Sequence, residues 1–201
     1  MPVTQTFIIR TPMPASIPPA TVLAHLHQHG PVFRAKDSIT AWDAIPVPYA
    51  SIANDPFFLP DADSIAAYRV RETIPILGSV RAPLRFPAVF QNGPTGMRVR
   101  VDAPGGVRVW TQYIVRKRGS GPLGEKARGG GEETWSDGED DASDSRGWEM
   151  VEILRMQGPR LFMPFASGQA KKAHQDSSRK FMKQLVDAGQ GSAQVTEGRD
   201  V

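Results

Sequence analysis

The sequence predicts an α+β fold, a curved antiparallel sheet of six or seven strands packed on one long C-terminal helix. Three observations predict it. Apolar and polar residues alternate with period two through much of 64–115. Short turn sequences, LGSVRAP, QNGPTG and DAPGG, separate those runs, as between antiparallel neighbours. A segment of helical period at 162–186 then follows one last strand, and a sheet with one apolar face needs such a cover.

The elements follow in order. Residues 3–10 (VTQTFIIR) are β-branched and aromatic and read as a strand. TPMPASIPP forbids regular structure, and Ser16 or Pro18 opens a helix over 20–29, with Val22, Leu23 and Leu26 as a narrow stripe. Gly30-Pro31 ends it. DSITAWDAIPVPY reads as a short strand and NDPFFLPDAD as a turn-rich loop. In SIAAYRVRETIPIL, Tyr68, Val70, Glu72 and Ile74 face one way and Arg69, Arg71 and Thr73 the other. Leu84, Phe86, Ala88 and Phe90 continue the pattern, then Met97, Val99 and Val101, then Val107 to Val115 in steps of two. WEMVEILRMQ is the final strand. The last helix presents Ala166, Ala170, Ala173, Ser177, Phe181 and Leu185 to the sheet, turns Lys171, Lys172, Arg179 and Lys180 away, and stops at a Gly189 cap.

Between two strands lies GEKARGGGEETWSDGEDDASDSRG, almost free of apolar residues. Neither side of it is a complete domain, so it reads as a long loop within one sheet. The expectation is one domain over 1–187, a disordered acidic loop at 119–146 and a disordered tail at 188–201.

Composition excludes several functions. The chain has 201 residues and no cysteine, which removes disulfides, thiol nucleophiles and thiolate metal sites. The start, MPVTQTFIIRTPMP, lacks a signal-peptide pattern, and no run approaches the ~20 apolar residues of a membrane span. An intracellular, cytoplasmic protein is expected. A net charge of +3 is ordinary solubility charge.

Strand, helix, meander and C-terminal helix together make a helix-grip arrangement, and here the chain resembles the START-like superfamily of polyketide cyclase-like and lipid-transfer domains. More closely it resembles a family of fungal proteins with that predicted fold. The resemblance rests on IPPATVLAHLHQH, AYRVRETIPIL, FPAVFQNGPTGMRVRVDAPGGVRV and WEMVEILRMQ leading into AKKAH. It implies a sheet–helix cavity for a hydrophobic or amphipathic small molecule. On this chain the cavity is lined by Tyr68, Val70, Glu72, Phe86, Phe90, Val99, Tyr113 and Ala170. A filled core is the alternative, because small helix residues equally allow close packing.

Chemistry-bearing residues are few. Glu72 reads as the one acid on the inner face, able to orient a ligand or act as a general base of a cyclase or dehydratase, or simply to pair with an arginine. His25 and His29 share a helix face and His27 does not, which reads as a surface face and not a metal site. His174 reads as structural or solvent-facing. The triple glycine at 129–131 lacks a following Gly-Lys-Ser/Thr, and no Gly-x-Ser-x-Gly elbow occurs. No metal and no cofactor is expected. Arg69, Arg71, Arg85, Arg98, Arg100 and Arg108 form the outer face, solvated or touching an anionic membrane surface. That face with the acidic loop could also make the protein an interaction module that takes no small ligand. Nucleic acid is not an expected partner, because only Trp110 interleaves those arginines. Ser136, before an acidic run, is a candidate phosphorylation site.

Overall fold

A computed structural model describes residues 1–59, 64–77, 80–120, 133–135, 147–161 and 163–196. The first strand, β1 (Pro2–Pro12), leads to α1 (Pro19–His27) and α2 (Gly30–Ala35). Then come β2 (Ile39–Ile45), α3 (Tyr49–Ile52), β3 (Ile65–Leu77), β4 (Val80–Gly93) and β5 (Gly96–Ala103). The chain continues through β6 (Val107–Lys117), β7 (Glu133–Trp135), β8 (Trp148–Pro159) and α4 (Met163–Thr196).

The sheet order is β2-β3-β4-β5-β6-β8-β1-β7. Every pairing is antiparallel except that of the short β7 on the edge of β1, where Thr6, Phe7 and Ile8 face Glu133, Thr134 and Trp135. Seven antiparallel strands with α4 on one face are a helix grip. β6 and β8 are direct neighbours, with Arg116 opposite Glu149 and the Arg118 amide donating to the Gly147 carbonyl at 2.9 Å. The stretch between them therefore starts and ends at adjacent strands.

Three apolar clusters organise the interior. The largest fills the inner face under α1, α2 and the later turns of α4, with Leu26, Phe33, Phe90, Met97, Phe181 and Leu185 among its members. A second joins Phe7, Leu154 and Met156 to Met163 at the start of α4. The third lies on the outer face, where Ile52 covers Ala67 and Val89.

The local differences from the sequence reading have physical causes. The helix expected over 20–29 stops at His27, and His29 turns the chain with φ 59° and ψ −41°. Gly30-Pro31 does not end a helix but begins α2, because proline suits the first helical turn. Gly189 does not cap α4, which continues to Thr196 and takes in the start of the expected tail. Of the acidic stretch, Ser136 lies outside the described residues, as do 121–132, 137–146 and 197–201.

The outer arginines are not a uniform solvated face. The segment 49–59 lies over part of them. Arg100, with its side chain 2% exposed, donates to the Ser51 carbonyl at 2.9 Å, to Asp55 at 2.9 Å and to Asp102 at 3.0 Å. Arg98 donates to the Phe57 carbonyl at 3.0 Å and stacks over the Phe57 ring. Arg71 pairs with Asp43 at 2.8 Å, and Arg108 pairs with Asp102. Arg69 and Arg85 remain exposed. Trp110 is not an exposed stacking platform. It is buried, donates to Asp55 at 3.0 Å and lies under Arg108 and Arg155.

Candidate functional site

Five of the sequence-predicted lining residues, Val70, Phe86, Phe90, Val99 and Tyr113, are buried together in the main cluster, and Tyr68 packs against it. Ala170 belongs instead with the second cluster. Glu72 is half-buried beside β2, where the Ser38 hydroxyl donates to it at 2.6 Å. It has no arginine partner among the described ion pairs.

Glu72 is not the one acid of the inner face. Glu152 sits there in the middle of β8, between Met150 and Leu154, and is 1% exposed. β8 alternates Met150, Glu152, Leu154 and Met156 inward, so period two aims this carboxylate at α4. On α4 the predicted face is displaced. Ala173 is exposed and Ser177 half-buried, while His174 and Ser178 point inward, 7% and 3% exposed. Being four apart, those two share the face that meets Glu152.

The cluster is fully connected. Ser178 Oγ donates to Glu152 Oε2 at 2.9 Å, and His174 Nδ1 is hydrogen-bonded to Glu152 Oε1. His174 Nε2 stands 3.1 Å from Lys36 Nζ, at the end of α2. An ammonium only donates, so Nε2 accepts and the ring's proton is on Nδ1, directed at Glu152. Tyr113, opposite Glu152 in the β6–β8 register, adds its hydroxyl. Burial alone would raise the Glu152 pKa. His174, Lys36 and the Ser178 hydroxyl outweigh it and hold the carboxyl below its usual range. Burial first, then the Glu152 charge, pushes the Tyr113 hydroxyl well above the usual tyrosine range. The site thus combines one fixed anion, one lysine and an imidazole between them, inside an apolar interface.

A void of about 10 Å³, room for about one water, lies among Lys36, Tyr113, Ser178, Leu26, Met150 and Phe181. The larger recess, about 420 Å³, is on the outer side beneath 49–59, against Ile52, Phe58 and Ile65. None of the predicted lining residues reaches it.

The three early histidines do not share a surface face. His25 binds the Thr21 carbonyl at 2.9 Å and His27 the Gly96 carbonyl at 3.0 Å. His29 is buried, between the Tyr68 hydroxyl at 2.9 Å and Asn92 Oδ1 at 3.0 Å, with its ring against Phe90. Burial is the main cause that lowers its pKa. Among the described residues no group of metal-ligating side chains is arranged to hold an ion. No helix among them is long and apolar enough to cross a membrane.

Two signals could have found the cluster from sequence. One is the inward register of Glu152 between two methionines. The other is the i, i+4 pair His174 and Ser178 in phase with Phe181 and Leu185. Lys36 had no such signal, because only the turn after α2 aims it inward.

Residues 2–187 match the model of a family described as a domain of unknown function, DUF7053. A comparison with curated protein sequences finds no match. Among solved structures, the chain is similar to TTHA0849 from Thermus thermophilus, at 10% identity and a TM-score of 0.46, covering 94% of this chain and 99% of that one. It is also similar to Ara h 8.0201, at 7% identity and a TM-score of 0.46, covering 92% and 99%.

Proposed function

The chain belongs to the DUF7053 family, whose description carries no activity, and we propose from the geometry that it binds an amphipathic small molecule between the sheet and α4. The observation that carries this reading is the position of the Glu152–His174–Lys36 cluster. It sits at the centre of an apolar helix–sheet interface and borders the one void described there. Buried charged and polar groups often give less stability than well-packed apolar residues at the same places. The presence of the cluster there supports a role in recognition. The 10 Å³ void means that the ligand enters as the later turns of α4 and the end of α2 draw apart. Glu72 borders neither recess, so an acid–base reaction centred on it has no support in the geometry.

Native mass spectrometry of the protein purified from its own source tests the reading. The expected result is a bound mass that is released on denaturation and lost in a Glu152→Leu variant. A released mass that Glu152→Leu leaves unchanged counts against this site. An apo protein that takes up no amphipath in titration counts against the function.

A further inference from the structure

Three features of the buried cluster bear on what kind of ligand it takes. Lys36 carries a full cation into the void, yet among the described ion pairs it has no carboxylate partner. Its one hydrogen-bond partner is the imidazole nitrogen of His174, which uses one of three ammonium donors. The other hydroxyls at the void are engaged. Ser177 donates to the Ala173 carbonyl at 2.7 Å, and Ser178 and Tyr113 both hydrogen-bond Glu152. The rest of the lining is apolar, with Leu26, Val32, Ala35, Met150 and Phe181.

We infer that the ligand is an acid, an amphipath whose carboxylate pairs with Lys36 and whose arrival places a proton on His174. The inference rests on the binding function proposed above. The charges explain the proton. Lys36 and Glu152 already cancel, so a buried ligand carboxylate leaves one negative charge uncompensated. Three titratable groups face His174 or its carboxylate: Lys36 from the end of α2, Tyr113 from β6 and Glu152 from β8. An ammonium has no site for a further proton, Glu152 is held ionised and Tyr113 is held neutral, so none of them takes up the proton. When Lys36 turns to the ligand it releases Nε2. His174 then binds a proton from solvent there and becomes an imidazolium between two carboxylates. The occupied site holds two cations and two anions.

The test is isothermal titration of the full chain with dodecanoate and with dodecanol, below their aggregation thresholds, at neutral pH and in buffers of different ionisation enthalpy. Dodecanoate is expected to bind at least about tenfold more tightly than dodecanol, the scale of one charge-assisted hydrogen bond. It is also expected to take up close to one proton per ligand, read from the buffer dependence of the enthalpy. Lys36→Met should abolish the preference and Lys36→Arg should keep most of it. Equal affinity for acid and alcohol overturns the inference and leaves the binding function standing. Binding of the acid without proton uptake also overturns it. Binding of neither overturns the binding function, and the inference falls with it.

Discussion

His29 and Glu152 are buried titratable residues whose charge states the fold sets in opposite senses. His29 is kept neutral, because burial lowers its pKa by more than the Asn92 hydrogen bond raises it. Its unfolded-state value is near 6.5, so between that and the lower folded value the unfolded chain binds more protons. Stability should be fully present above pH 6.5 and decline as pH falls through the folded pKa. Glu152 is kept ionised, so its contribution is present above pH 4.5 and is lost at lower pH, through its own depressed value. Denaturant midpoints measured across this range should show two separate losses. His29→Asn should remove the first and not the second. A single loss confined to the carboxylate range would show that His29 is not titrating as described. The Glu152 cluster makes a second expectation. Glu152→Leu alone should cost about 3 kcal/mol, because it leaves Lys36 without a nearby counter-charge and the Nδ1 proton of His174 without its acceptor. Adding His174→Leu should recover most of that, since Lys36 is half-buried and can turn outward. Equal destabilisation in the single and double variants would contradict the charge argument.

Among the elements, the hairpin of β4 and β5 and the cover formed by 49–59 can each be tested at a single residue. A Cβ on Gly96 would lie 1.8 Å from the Tyr113 carbonyl oxygen, and the Gly96 carbonyl receives His27 from α1. Gly96→Ala must therefore move a backbone that pairs on one side and anchors α1 on the other. A loss of about 2 kcal/mol or more is expected in urea denaturation. Gly93→Ala, whose nearest outside contact is an ordinary 3.7 Å, serves as the mild comparison. Asp55 joins 49–59 to the sheet through Arg100 and Trp110. Asp55→Ala should leave the buried guanidinium of Arg100 with Asp102 as its remaining carboxylate, shift the Trp110 fluorescence to the red and speed proteolysis within 49–59. Unchanged fluorescence would count against Asp55 as the anchor. Strands are the legible part of the sequence, because period two carries over to a sheet directly, as 65–74 and 96–103 show. The face of α4 is not legible to the same degree. Alanines and serines score alike on an apolar scale, so the face can be chosen one residue off, at Ala173 and Ser177 in place of His174 and Ser178. Only the partner strand decides between them, and the inward register of Glu152 does not say which helix residues it will meet.

At the scale of the whole molecule, the topology follows from the turns, while the filling of the interior does not. Local sequence shows which residues face inward, not whether their volumes sum to the space available, and Phe33, Trp42, Tyr68 and Phe90 occupy much of it. The acidic stretch is legible in where its ends lie but not in β7. Replacing 119–146 by an Asn-Gly turn should preserve cooperative unfolding, because Arg118 and Gly147 already meet. The same replacement strips β7 from the edge of β1. Light scattering should then show association that grows with concentration, the usual behaviour of an uncovered edge. Unfolding in two steps would show instead that the stretch divides two units. The small size of the void described at the Glu152 cluster sets the kinetics of any binding there. Freeing Phe181, Met182 and Leu185 from the core exposes three side chains, each worth roughly 1.5–3 kcal/mol. The open state is accordingly rare, and measured affinity is weaker than intrinsic affinity by the rarity of that state. Association rates should rise with ligand at first and then level off at the rate of helix release, whatever the ligand. Two chemically different ligands sharing one plateau would mark the protein, and not its guest, as the timekeeper.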